Sequence, residues 1–132
     1  MADTLQFDLV SPERKLASVT ATAVTIPGIG GDFTAMPNHA PFLTTLRPGV
    51  VRVVAGSETQ EYVVTGGFAE ISPTSATILA ESALVRAEFS GSVVADLLAS
   101  AERDLAEATE ERRMAAGQRV RDVAALKSQL AL

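Results

Sequence analysis

The chain has 132 residues, which is enough for one ordinary domain or for a small domain with an appendage. Apolar residues make up 47% of it and charged residues 20%, so the chain is not disordered; aromatic residues are 5%, so its core is predicted to be mainly Val, Ala, Leu and Ile. A net charge of −5 argues against nucleic acid as a partner, and the absence of cysteine excludes disulfides, thiol catalysis and thiolate metal sites.

From the residues at the N-terminus we expect no targeting signal. Residues 1–5 contain neither a basic segment nor an apolar one, and no apolar run approaches the roughly 18 residues of a membrane-spanning helix. We therefore expect a soluble cytoplasmic chain that reaches a membrane only by docking on a membrane protein.

The first 88 residues have the composition of a β domain. All six prolines and seven of the nine glycines lie there, and these residues mark turns between short strands. Alternating apolar and polar residues, as in 5–9, 17–23 and 51–53, are typical of strands with one buried face. Strands this short and this regularly spaced predict an antiparallel β-sandwich or flattened barrel.

Residues 89–132 are predicted to form a hairpin of two helices. Ser92 is the expected N-cap of the first helix, and the turn is expected within 108–114, with one long helix as the alternative. Apolar residues recur at helical spacing in two stripes. The first stripe comprises Val94, Leu97, Leu98, Ala101, Leu105 and Ala108, and the second runs through Val120, Val123, Ala124, Lys127 and Leu130, with the lysine interrupting it.

Charge separates the two predicted helices. Residues 96–111 contain six acidic residues and one basic residue, whereas residues 112–132 contain five basic residues and one acidic residue. Exposed ion pairs contribute only about 0–1 kcal/mol each, and alanine-rich stripes bury little area, so the hairpin is marginal alone. We infer an arm that can leave the β domain and bind elsewhere.

Candidates for chemistry are few. His39, between two prolines, has no second metal ligand at a suitable spacing and is interpreted as a loop residue satisfied by backbone or by an interface. Residues 28–31 read Gly-Ile-Gly-Gly, but strand rather than helix follows, which favours a bent connection over a phosphate loop. Asp32 is either a solvated turn carboxylate or the ion-pair partner of a basic residue on another protein.

Several segments resemble the ε subunits of F-type ATP synthases. Residues 31–49 read Gly-Asp-Phe-Thr-Ala-Met-Pro-Asn-His-Ala-Pro-Phe-Leu-Thr-Thr-Leu-Arg-Pro-Gly, similar to the family's Gly-Glu-x-Gly-x-x-Pro-Gly-His-Ala-Pro-Leu-Leu-Thr-x-Leu-Lys-Pro-Gly. Residues 7–13, 66–71 and 77–81 match the family's first strand and turn and two later strands in order. The resemblance implies a β-sandwich of about ten strands over 1–88, a helical hairpin over 89–132, and a non-catalytic rotor subunit.

The resemblance also implies partners. In this family the sandwich binds the γ subunit and the membrane c-ring, which places the chain on the cytoplasmic face of the bacterial inner membrane. Asp32 matches the acid that meets the c-ring, and Gly30, Gly31 and His39 lie in the same contact region. Ser11 matches a position near γ.

The family's hairpin can also block ATP hydrolysis through basic residues of its last helix against the catalytic β subunit. Arg112, Arg113, Arg119 and Arg121 are the matching candidates.

Two features depart from the family pattern. In the family the ATP-binding motif of the first helix reads Ile-Asp-x-x-Arg-Ala. In this chain Ala95 replaces its acidic residue and Leu98 its arginine, so neither an ATP site nor any cofactor is expected. Asn38 replaces the glycine before His39, and the turn is expected to survive because asparagine tolerates a left-handed backbone. A β-sandwich that binds a small ligand or peptide under a helical lid is the competing interpretation.

Overall fold

The structure is a computed structural model that describes residues 3–132. It divides into two compact units, one that runs up to Arg86 and one over Ala87–Leu132. The first unit contains ten strands and the second two helices, which confirms the predicted β-sandwich followed by helices. The strands are β1 Leu5–Val10, β2 Lys15–Ala21, β3 Ala23–Gly28, β4 Gly31–Ala35, β5 Phe42–Leu46, β6 Gly49–Ala55, β7 Glu58–Val64, β8 Gly67–Ile71, β9 Ser75–Ala80 and β10 Ala83–Val85.

The ten strands form one hydrogen-bonded sheet, and nine of them follow a single path. Its order is β10-β7-β6-β3-β5-β8-β9-β1-β2, with β4 paired to β3 outside the path. The path folds over so that β2, at one end, contacts β6 near the other, which gives a flattened barrel. Every pair is antiparallel except β1 with β9, which run parallel from Gln6↔Ser75 to Val10↔Leu79. The sequence pattern did not predict this exception, since alternation does not report strand direction.

The core of the first unit follows the period of two. In β1, Leu5, Phe7 and Leu9 are buried, and the residues between them face outward or are half-buried. The ring of Phe7 lies 6.4 Å from the ring of Tyr62 on β7, so the two ends of the strand path share one core. Burial of one large apolar side chain of this kind contributes about 1.5–3 kcal/mol to the free energy of folding.

A short 3₁₀ turn at Arg86–Glu88 spans the division between the units, and the second unit then contains helices α1 Gly91–Glu107 and α2 Glu110–Gln129. Ala108 and Thr109 separate the helices within the predicted interval, and the extended backbone of Ala108 excludes a single long helix. The prediction of Ser92 as N-cap is wrong. Ser90 is extended, and its Oγ accepts a hydrogen bond from the amide of Val93 at 3.4 Å.

The stripe predicted on α1 is confirmed, with Val94 and Ala101 buried and the other members half-buried. The stripe predicted on α2 is wrong in part. Val123 and Leu126 are the buried residues of α2, and Ala124 and Lys127 are exposed. Lys127 keeps its ammonium in water, so the face of α2 that contains it is exposed. Leu126, one position earlier, faces the interior instead.

Candidate interaction surfaces

The glycine-rich segment forms the tip of the β3–β4 hairpin. Ile29 and Gly30 make a two-residue turn between Gly28 and Gly31, which pair with each other. Gly31 has φ 133°, which L side chains rarely adopt, and a Cβ on Gly28 would lie 2.9 Å from the Gly31 oxygen. A strand, not a helix, follows, so the segment is the bent connection that the sequence favoured over a phosphate loop.

Asp32 has a partner within its own chain. Nη2 of Arg47, which follows β5, pairs with Oδ1 of Asp32, and Nη1 of Arg47 donates to the Gly28 oxygen at 2.6 Å. The Asp32 side chain remains 57% exposed. Sequence reasoning missed Arg47, because the proximity of residues 15 positions apart depends on how β3, β4 and β5 are arranged.

His39 lies in the loop between β4 and β5, close to the hairpin. Asn38 adopts φ 71°, which confirms the expected left-handed turn, and its amide donates to the Pro73 oxygen at 2.8 Å. Nδ1 of His39 donates to the Ala40 oxygen at 2.6 Å, so backbone satisfies this nitrogen, as interpreted from the sequence.

Aromatic contacts join the His39 loop to the hairpin. The Phe33 ring lies 6.4 Å from the His39 ring and meets the Phe42 ring edge-on at 5.2 Å. The structure therefore brings Gly30, Gly31, Asp32 and His39 into one region, here called the hairpin surface: residues 28–33, His39, Phe42 and Thr44. Much of it encloses a shallow groove of about 410 Å³, beside an Ile29 side chain that is 66% exposed.

Ser11 lies at the edge of an apolar groove on another part of the sandwich. Its Oγ donates to the Arg14 oxygen at 3.3 Å, which closes the turn after β1. The groove has a volume of about 380 Å³ and is here called the Ser11 groove. Its lining residues are Val10, Ser11, Pro12, Gly67, Phe68, Leu79, Ala80 and Glu81.

Two large side chains of the Ser11 groove face solvent. Phe68 and Leu79 are opposite each other on β8 and β9 and are 45% and 41% exposed. Gly67 allows β8 to approach β9 closely at this groove, since a Cβ there would lie 2.1 Å from the Leu79 oxygen. Sequence reasoning did not single these residues out, although large apolar residues at outward positions of alternating strands are a signal for an interface.

The four candidate regulatory arginines lie on α2 but do not form one cluster. Arg112 and Arg119 line a groove between α1 and α2 near their connection, together with the acidic residues Asp104, Glu107 and Glu111. Arg121 donates from Nη2 to the Gln118 oxygen at 2.9 Å, and Arg113 is exposed. At helical spacing Arg112 and Arg119 share one face of α2, whereas Arg113 and Arg121 lie on other faces.

Within residues 3–132, no three acidic or histidine side chains lie close enough together to hold a metal ion. In the same part of the chain, no helix is both long and apolar enough to span a bilayer.

Comparisons with known proteins agree with this architecture. Residues 4–86 match the family model for the β-sandwich domain of ATP synthase delta/epsilon chains. The ATP synthase epsilon chain of Rhodobacter capsulatus is 52% identical over 132 residues and covers all of both chains. That of Paracoccus denitrificans is 56% identical over 87% of this chain and 78% of its own length.

A solved chain has the same fold at low identity. It comes from the OSCP/F1/c-ring structure of the Euglena gracilis mitochondrial ATP synthase. The TM-score is 0.76 at 20% identity, over 98% of this chain and 83% of that one.

The β-sandwich with its two helices, together with the family match, defines the class. The chain belongs to the family of ATP synthase delta/epsilon chains. Within that family its bacterial relatives carry the name epsilon chain, so the resemblance found in the sequence is confirmed.

Proposed function

We propose that the chain is a non-catalytic central-stalk subunit of an F-type proton-translocating ATP synthase, where it couples the membrane c-ring and the γ subunit to the catalytic head. The full-length match to the Rhodobacter capsulatus epsilon chain, at 52% identity, carries this proposal. A second solved chain with a related fold comes from the central stalk/c-ring structure of the Tetrahymena thermophila mitochondrial ATP synthase (TM-score 0.57, 18% identity, 66% of this chain and 70% of that one). The proposed location is the cytoplasmic face of the bacterial inner membrane. There the chain would be a peripheral protein that is held at the membrane by the rest of the complex.

The Ser11 groove is the proposed contact with γ. Phe68 and Leu79 present adjoining apolar surface beside the Pro12 turn. A complex is stabilised when a partner removes apolar surface of this kind from water. The groove crosses three paired strands, β1, β9 and β8. A partner bound in it would therefore contact the sheet itself rather than a single loop.

The hairpin surface is the proposed contact with the c-ring. It combines an exposed apolar side chain at Ile29, bare backbone at Gly30 and Gly31, and the Asp32 carboxylate. Polar backbone and a carboxylate suit the polar loop of a membrane ring, and a short hairpin is stiff enough to transmit torque.

The second helix is the proposed regulatory contact with the catalytic β subunit, through Arg112, Arg113, Arg119 and Arg121. All four lie on α2, and a basic helix fits an acidic surface. Deletion of 89–132 is expected to raise ATP hydrolysis by the assembled enzyme. Unchanged hydrolysis would remove the inhibitory role from the proposal.

Co-purification tests the stalk assignment. A tagged full-length chain is expected to retain γ and the c-ring from detergent-solubilised membranes. Phe68→Ser with Leu79→Ser is expected to lose γ, while Val19→Ser, a 40% exposed valine on β2 outside the groove, retains it. A stable free monomer with no γ bound would contradict the assignment and favour the ligand-binding alternative.

The ring contact has its own test. Asp32→Lys is expected to reduce ATP-driven proton pumping more than it reduces folding stability, because the lysine reverses the charge at the hairpin and faces Arg47. Glu58→Lys, an exposed acid at the start of β7, is the matched control and is expected to pump normally. Normal pumping by Asp32→Lys would count against the contact.

A further inference from the structure

Arg47 connects the end of β5 to both strands of the β3–β4 hairpin. Its backbone amide donates to the Pro27 oxygen at 3.1 Å, and Nη1 donates to the Gly28 oxygen at 2.6 Å. Its Nη2 pairs with Asp32 on β4. The Arg47 side chain is only 29% exposed, so these contacts are partly shielded from water.

The chain after Arg47 is itself held firmly. Pro48 and Gly49 are buried, and a Cβ on Gly49 would lie 2.6 Å from Cβ of Pro27, so this backbone packs directly on β3. Arg47 therefore extends to the hairpin from an anchored position.

Besides the contact of the Phe33 ring with the Phe42 ring, the hairpin tip has few other supports. A Cβ on Gly30 or Gly31 would meet nothing within 4 Å, and β3 pairs with β5 only at Gly28↔Leu46. One further bond, from the Ile29 amide to the Thr45 oxygen at 3.0 Å, ties the tip to β5. A planar guanidinium that bonds a carbonyl and a carboxylate together fixes direction as well as distance, which a point charge does not.

We propose that Arg47 is the positioning residue of the hairpin surface: it stiffens the tip and presents Asp32 to the partner as a pre-formed ion pair. The identity of the partner as the c-ring rests on the function proposed above. The stiffening itself is a property of this chain alone, so the two can fail separately.

Amide hydrogen exchange in the isolated full-length chain tests the stiffening. Arg47→Met, which keeps the length of the side chain but makes no hydrogen bond, is expected to speed exchange of the Ile29 amide at least tenfold. Arg47→Lys keeps a positive charge and is expected to fall between Arg47→Met and the unmodified chain. Arg52→Met, at an exposed arginine of β6, is the matched control and is expected to leave the Ile29 amide unchanged.

The exchange result decides between a positioning residue and a general stabiliser. Faster exchange confined to the hairpin supports positioning. Equal exchange in Arg47→Met and the unmodified chain would overturn it, and so would faster exchange spread evenly over all strands.

Coupling in the assembled enzyme tests the consequence. Arg47→Met is expected to lower the ratio of ATP-driven proton pumping to ATP hydrolysis severalfold, and Arg47→Lys, which keeps the positive charge and leaves Asp32 in place, is expected to lose less. If these variants assemble but Arg47→Met couples normally despite faster exchange, the role at the joint is overturned. If the unmodified chain does not assemble, the proposed function fails, and the exchange experiment still decides the role of Arg47.

Discussion

The two units of the chain bury their side chains in different ways. The sandwich has one continuous core in which Phe7, Leu9, Val24, Ile26 and Ile78 are fully buried. In Ala87–Leu132 the buried residues are Phe89, Val94, Ala101, Val123 and Leu126. Stability grows with buried apolar area, so we expect the sandwich to be the more stable unit and the helical unit the less stable one. The sandwich therefore suits a permanent interface, and the helices suit an element that changes its binding partners.

The surfaces differ in the same sense. The sandwich carries compact exposed patches on paired strands, whereas the helices carry mixed charge along most of their length. Exposed charges contribute little to a fold but choose between partners. On the proposed function, we therefore expect the sandwich to supply most of the affinity for the partners and the helices to contribute selectivity.

The largest expected effect is in the sandwich core. Phe7→Ala removes a ring that is fully buried against Tyr62 and is expected to cost about 3–5 kcal/mol of unfolding free energy. Urea unfolding followed by Tyr62 fluorescence measures it. Met114→Ala, at a side chain that is 84% exposed, is the control and should change little. A loss below about 1 kcal/mol for Phe7→Ala would contradict the single continuous core.

A smaller loss is expected in the helical unit. Leu126→Ala removes a buried side chain from a unit with few others, at a cost of about 2–5 kcal/mol by the usual range for such changes, and we expect the lower end. Circular dichroism at 222 nm should show the helices unfolding first while the Tyr62 signal stays native. Simultaneous loss of both signals would mean that the two units do not differ in stability as argued.

The cap of α1 comes next. Ser90→Ala removes the oxygen that accepts from the Val93 amide and is expected to cost about 1 kcal/mol of helix stability. Ser92→Ala is the matched control, because Ser92 lies inside the helix, and it should cost less. Thermal unfolding at 222 nm compares the two. A larger effect at Ser92 would restore the assignment made from the sequence.

The smallest effect concerns pH. The hydrogen bond from Ser18 holds the pKa of Asp8 below its ordinary value; partial burial opposes this, and Lys15, with Nζ 3.4 Å from Oδ1, lowers the pKa further. A carboxyl with a lowered folded pKa stabilises the fold above its unfolded pKa of about 3.9, and that stabilisation is lost as pH falls through the folded pKa.

Asp8→Asn should therefore lose less stability than the unmodified chain on acidification across this window, by at most about 1 kcal/mol. Urea midpoints at pH 6 and pH 3 measure the difference. An identical acid dependence in both proteins would show that Asp8 does not contribute.

Local signals in the sequence were sufficient for the fold class but not for long-range placement. Alternation and the distribution of proline and glycine predicted the strands, and helical spacing predicted α1. The parallel pairing of β1 with β9 and the contact of Arg47 with Asp32 depend on how distant segments meet, and no local pattern carries that information. Of the candidate site, the hairpin and His39 regions were predicted from the family resemblance, and Phe68 and Leu79 emerged only with the sheet in place.

The most direct measurement asks which unit fastens the chain to the rotor. Residues 1–88 alone, added to membranes whose ATP synthase lacks this subunit, are expected to rebind with γ and the c-ring and to restore ATP-driven proton pumping. Restoration only by chains that retain 89–132, with the sandwich folded but unbound, would contradict the account.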